Sequence, residues 1–236
     1  MGTPDDLPVF HEGECQLQAR VGVRDRMAAL GEQVIRSFMP EQHRLFFAQL
    51  PFAIVGSVDA TGQAWASILA HPPGFISSPD AHHLQIRAQA LAADPLRETL
   101  APGASIALLG IEQHTRRRNR MNGVVERIDD DGLLVVVQQS FGNCPKYIQG
   151  REAKYVGREG TGSVHHDTTL SEAARQIIAR ADTLFIATAY PDAHQGVEPA
   201  QRANSHGVDV SHRGGKPGFV RVDSGHTLTI PDFAGN

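Results

Sequence analysis

The sequence predicts a mainly β fold of the α+β class: N-terminal helices, one small barrel, and a second, incomplete copy of the barrel unit. Three observations carry this prediction. Apolar residues recur at helical spacing before residue 50 and at strand spacing after it. Six strand-like segments then follow, enough to close a small barrel. Finally, residues 65–87 (WASILAHPPGFISSPDAHHLQIR) recur at 209–231 (DVSHRGGKPGFVRVDSGHTLTIP) at a constant offset of 144. Ser67/Ser211, Pro73/Pro217, Gly74/Gly218, Phe75/Phe219, His82/His226, Leu84/Leu228 and Ile86/Ile230 coincide. An internal repeat of this length defines the structural unit.

Taken in order, residues 1–21 have no clear period and read as an extended arm. In 23–38, Met27, Leu30, Val34, Ile35 and Phe38 fall at helical spacing. Met39-Pro40 opens a second helix, because Pro suits a first helical turn, and Leu45, Phe46 and Leu50 share its face. Strands are predicted at 52–58 and 64–70, joined by the turn Asp59-Ala-Thr-Gly62, and at 82–88. A short helix at 94–103 ends in Pro and Gly, and strands follow at 105–112, 119–129 and 132–141. The domain division is 1–50 for the arm and helices, 51–156 for the first barrel, 157–169 for a Gly/Ser/Thr-rich linker and 170–236 for the truncated copy. The copy opens with a helix at 170–181 capped by Thr168 or Thr169. It then has the apolar strand TLFIATAY (183–190) and a longer loop, 191–207. It stops at Asn236, the equivalent of Ala92, before any counterpart of the closing strands. Unpaired strand edges are normally covered. Either the chain belongs to something longer, which is the favoured expectation, or 174–236 packs onto the first barrel.

Composition excludes several classes. With 41% hydrophobic and 20% charged residues the chain is that of an ordinary globular protein. A net charge of −4 gives no global reason to expect nucleic acid or an anionic membrane as partner. No apolar run nears the roughly 20 residues that span a bilayer. The acidic, polar N-terminus is not expected to act as a signal peptide, and with Leu7 no myristoylation is expected. The two cysteines, Cys15 and Cys144, make no disulfide framework or CxxC pair. The expected location is the cytoplasm.

SHRGGKPGFVRV and TLTIPDFAGN in the second copy resemble the pyridoxamine 5′-phosphate oxidase-related, FMN-binding split β-barrel family. QSFGNCPKYIQ (139–149), HEGE (11–14) and MPEQHRLFFAQLPF (39–52) extend the likeness over most of the chain. More narrowly it resembles the longer flavin-nucleotide-binding members, with two tandem barrels that can precede a reductase module. The resemblance implies FMN as cofactor and redox chemistry with a small-molecule substrate or electron donor. It also implies flavin held between two barrels, as in a homodimer or within one tandem chain, with Lys146 and Tyr147 at the seam. Carried over residue by residue, the phosphate positions are Ser211, Arg213 and Lys216, with Pro231-Asp232 and Asn236 alongside. Arg, Lys and a hydroxyl suit a phosphomonoester. In the first copy the same positions are Ser67, Leu69 and Pro72, so the basic pair is gone and only Arg87 could offset it. The arginine-rich closing segment that holds the substrate in true pyridoxamine phosphate oxidases has no match, so that reaction is not implied.

Other signals have two readings each. Arg116, Arg118 and Arg120 in the run 114–120 would share one strand face, either as a solvated edge or in contact with an anion. The cluster is too narrow and too poor in aromatics for nucleic acid. Cys144 reads as a small buried residue rather than a nucleophile. Among twelve histidines no HExxH or HxH occurs, so no metal site is expected. A haem ligand would be sought at His212 or His71. Asp129 and Asp131 read as turn residues. No residue is assigned as catalytic base. The leading expectation is an FMN-binding oxidoreductase-type protein, and the alternative is a non-catalytic flavin or haem binding or dimerisation module.

Overall fold

The structure, a computed structural model, describes residues 9–157, 165, 167–191, 193 and 205–234. It is an α+β protein rich in antiparallel sheet, as predicted. The arm differs from the expectation: Glu12–Arg20 is a helix, α1. The reason is local. The His11 Nδ1 accepts from the N–H groups of Gly13 and Glu14, while the Glu14 carboxylate accepts from the His11 N–H. This is a capping box with histidine in the usual hydroxyl position. Helix α2 spans Arg24–Val34 and stops short of Phe38. Backbone bonds between Arg36 and Ser140 in both directions, at 3.1 and 2.7 Å, pull the chain out of the helix.

Helix α3 (Glu41–Ala48) leads into β1 (Phe52–Val58) and β2 (Ala64–Ala70). Next come β3 (Ile76–Ser77), β4 (His83–Ile86), the short α4 (Leu96–Thr99), β5 (Ser105–Glu112), β6 (Arg117–Asp129) and β7 (Gly132–Gly142). The strands form one antiparallel sheet in the order β2-β1-β5-β6-β7-β4-β3. One face of every strand enters a single core: Val55, Leu69, Ile76, Leu84, Ile86, Ile106, Leu108, Met121, Val125 and Val135 are all buried together. A sheet whose strands all face one core must curl around it, an arrangement consistent with a split barrel. Two register shifts in the β6–β7 ladder, at Asn122/Gly123 and Val125/Arg127, supply local bending. Phe46, Phe47 and Leu50 plug one end against Gly110, where a Cβ would stand 2.6–2.9 Å from all three.

The outer face of β1 and β5 is also covered. Ile54, Ala107, Leu109 and Ile111 form a second core with Ile148 and with Val208 and Val210 of the second copy. Because β5 is buried on both faces, SIALLGIE shows no polar alternation.

In the second copy, α5 (Glu172–Arg180) is followed by β8 (Thr183–Ala189), β9 (Val208–Gly214), β10 (Arg221–Val222) and β11 (Leu228–Thr229). Ser171 caps α5, in place of the expected Thr168 or Thr169, because its hydroxyl accepts from the Ala174 N–H. The pairing repeats that of the first copy. Phe52↔Ala70 in β1–β2 corresponds to Thr183↔Gly214 in β8–β9. Ser77↔Gln85 in β3–β4 corresponds to Arg221↔Thr229 in β10–β11. Gly74 and Gly218, a repeat pair, both hold positive φ, 97° and 82°. Most of the loop 191–207 and of the linker 157–169 lies outside the described residues.

Candidate functional site

Alternation along β6 sends Arg118, Arg120 and Asn122 outward, on the face where β9 lies. There Arg120 donates to Asp209 at 2.5 Å and to the Ser211 hydroxyl at 2.8 Å. The Asn122 amide donates to Asp209 at 3.2 Å and to Gln139 at 3.3 Å. The solvated-edge reading of these arginines is therefore overturned: Arg118 is 7% exposed, and only Arg116, in the preceding turn at φ 57°, stays out of the seam. Burial pushes the Asp209 carboxyl up even with the Arg120 guanidinium beside it, and pulls Arg120 down. Glu14, reaching in from α1, is likewise raised by burial against the lowering pull of the His11 N–H.

Behind this network Arg118 donates to His212 Nδ1 at 2.9 Å and to the Cys144 carbonyl at 2.5 Å. A guanidinium can only donate, so Nδ1 is an acceptor and the ring is neutral. Burial and the Arg118 charge lower the His212 pKa to about 4, and burial brings Arg118 down to about 10. Among the described residues no carboxylate pairs with Arg118. Among the described residues, the Nε atoms of Arg118 and Arg120, Oδ1 of Asn122 and Asn143, and Oγ of Ser205 are buried without a hydrogen-bond partner.

A cavity of about 840 Å³ opens on this seam. Leu17, Met27, Leu30, Val34 and Ile35 of the helical arm make its apolar wall. Arg120, Asn122, Gln139, Asn143, Ser205 and Asp209 make the polar one, with Glu14 at the arm. Its size falls in the range typical of small-molecule sites, and its lining combines apolar surface with a few convergent polar groups.

The residues singled out in the sequence are dispersed. Ser211 joins the network through Arg120. Arg213 lies close enough to depress both Arg118 and Arg120 electrostatically, and donates to the His212 carbonyl. Lys216 is exposed on the turn beyond β9. Lys146 and Tyr147 both reach the Ala234 carbonyl, at 3.4 and 3.3 Å, and Tyr147 stacks on Phe233. The Tyr147 carbonyl crosses so close to Gly214 that a Cβ there would meet it at 2.2 Å. Ser67 is buried elsewhere, donating to Asp94 at 2.5 Å, and Arg87 is exposed on Ser77 at 3.2 Å. Asn236 lies outside the described residues. Cys144 is exposed rather than buried, and offers its carbonyl to the site. His212 packs on Phe185, with Nδ1 committed to Arg118, while His71 packs between Phe75 and Tyr155. Among the described residues no cluster of metal-ligating side chains occurs. No helix among them is long and apolar enough to cross a membrane.

Sequence reasoning missed Glu14, Asn122, Asn143, Ser205 and Asp209. Alternation along β6 was the available signal for Asn122, which continues the Arg118–Arg120 face.

No protein-family profile matches the chain, and no curated protein matches it in sequence. Among solved structures it is similar to a HupZ variant from Group A Streptococcus, at 13% identity and a TM-score of 0.35, over 44% of this chain and 98% of that one. It is also similar to an F420 reductase at 16% identity and a TM-score of 0.28, over 43% of this chain and 95% of that one.

Proposed function

We propose that this chain is an FMN-binding protein of oxidoreductase type, with the flavin ring in the cavity between the barrel and the second copy, a truncated repeat of the same unit. One observation supports this above others: Arg120, Asn122, Asn143 and Ser205 all line the cavity and all carry a buried polar atom without a partner among the described residues. Each such atom costs about 1–3 kcal/mol if left unmet. Together they offer donors and acceptors along one wall, opposite an apolar one. A planar heterocycle with carbonyl and N–H groups along one edge answers that pattern. The apolar arm residues Met27, Leu30 and Val34 would cover a ring face, and Arg120 would steady negative charge on the polar edge. Arg213 and Lys216 are the residues for the phosphate. The uncompensated Arg118 charge adds to the positive field around them. Bound flavin supplies hydride or electron transfer, and the protein supplies position and electrostatics.

The test is FMN titration of the purified protein, followed by quenching of flavin fluorescence and shifts in its visible bands. Binding is expected to weaken at least about tenfold in Asn122→Leu, which removes an unmet acceptor from the wall. Folded protein that takes up no FMN, or binding untouched by Asn122→Leu, refutes the proposal.

A further inference from the structure

Helix α1 is held by its cap more than by its packing. It is nine residues long, buries none of its side chains and contributes to neither core. A helix that short is marginal in water unless a packed face or a cap supports it. Here the support lies at the N-terminus. Gly13 and Glu14 donate their N–H groups to His11 Nδ1 at 3.1 and 3.3 Å, and the His11 N–H donates to Glu14 Oε2 at 2.9 Å. Just ahead of the cap, the Val9 carbonyl accepts from the Gln139 amide at 3.3 Å.

A histidine cap differs from a serine cap in one respect: its acceptor is a lone pair that a proton can take. Because Nδ1 accepts from two backbone donors, the ring is held with that nitrogen bare. Protonation there would aim an N–H at two other N–H groups. It would also set a positive charge at a helix N-terminus, where the dipole favours a negative one. The groups around the ring do not offset this. On its own helix, Glu12 and Glu14 stand in the first turn, with Glu14 Oε2 3.7 Å from His11 Nε2. That pair is 28% and 42% exposed, so its attraction returns little. Beyond Glu14 stand Asp209 and Arg120, which act on its carboxyl with opposite sign. From the second copy, Tyr190 meets the imidazole edge-on at 5.3 Å and stacks on His206 at 3.8 Å.

We propose that His11 is a pH-sensitive cap whose protonation releases α1 from the mouth of the cavity. Glu14 and Leu17 of α1 line that cavity, and so do His11 and Tyr190. Fraying α1 removes this part of the wall while both cores stay intact. The cavity is then closed on the arm side near neutrality and open in mild acid. The cap stands on its geometry alone; that its loss frees a bound ligand rests on the flavin reading above.

The experiment is measurement of backbone carbon chemical shifts by NMR at pH 7.5 and pH 5, a range in which imidazoles take up protons. Helix α5 is the internal reference: it too has nine residues, and the Ser171 hydroxyl that caps it does not titrate. In wild type the helical shifts of residues 15–19 are expected to fall by at least about a third at pH 5, while those of α5 hold. His11→Asn, whose amide oxygen caps without titrating, is expected to keep α1 at both pH values, and His11→Ala to show the reduced helix at both. Unchanged α1 shifts in wild type overturn the proposal. So does an equal loss in His11→Asn, which assigns the titration to Glu14, or at α5, which makes it general. FMN release, followed by flavin fluorescence, is expected to be at least about threefold faster at pH 5 than at pH 7.5 in wild type and not in His11→Asn. A cap lost without faster release overturns the gating. Protein that takes up no FMN refutes the flavin reading and leaves the shift measurement standing.

Discussion

Replacing His212 by glutamine isolates one titration within the seam. In the native protein the imidazole is 2% exposed, accepts from Arg118 and faces the further charge of Arg213, with only Asp182 pulling the other way. Protonation would take that acceptor away and set a second cation beside Arg118. The pKa accordingly falls from 6.5 to about 4. The unfolded chain then binds a proton that the native protein refuses. Stability is fully present above pH 6.5, declines as the pH falls through the window from 6.5 to 4, and levels off below it. At about 1.4 kcal/mol per pH unit the loss amounts to about 3 kcal/mol. In His212→Gln the new side chain keeps an acceptor for Arg118 but cannot take the proton. Urea unfolding at several pH values between 7.5 and 4 measures both proteins. The variant is expected to be weaker by about 1 kcal/mol near neutrality, from lost packing against Phe185, and to close or reverse the gap as the pH falls. Carboxylates such as Asp59 and Asp80 titrate alike in both, so the difference curve reports His212. A constant difference across the window refutes a neutral, buried His212.

Two further outcomes follow from the packing. Gly110→Val places methyl groups into Leu50, Phe46 and Phe47, where even a Cβ would be 2.6–2.9 Å away. A loss of about 1–3 kcal/mol is expected, read as a lower thermal midpoint. Arg120→Met leaves the half-buried Asp209 carboxyl without its cation, with a loss of about 1–3 kcal/mol in chemical denaturation. Adding Asp209→Asn to that variant is expected to restore part of it, since the uncompensated charge is gone; no recovery means the pair matters for shape rather than charge.

Most of the secondary structure was legible because it follows from local rules. The β1–β2 hairpin, the long β6–β7 pair and the helix after Pro40 were read from period and turn residues, and each is present within a few positions. α1 was missed because its cap is a histidine, whose side chain does not announce an N-terminus as serine or aspartate would. β5 was found as a strand, but its unbroken apolar run says only that both faces are covered, and not by what. The repeat in sequence reappears as matched register between β1–β2 and β8–β9, because register follows side-chain alternation, which is a property of each strand.

The seam is different in kind. The sequence could set Arg118, Arg120 and Asn122 on one face, but a strand face has no address. Only the docking of β9 on the outer surface of β1 and β5 brings Asp209 and Ser211 to Arg120 across about ninety residues of chain. The same docking buries an arginine that alternation alone leaves free to face water. Pairing and capping depend on neighbours in sequence and are written there. Which charges meet, which polar atoms go unmet and where a cavity opens depend on how two finished surfaces pack, and that only the tertiary structure decides.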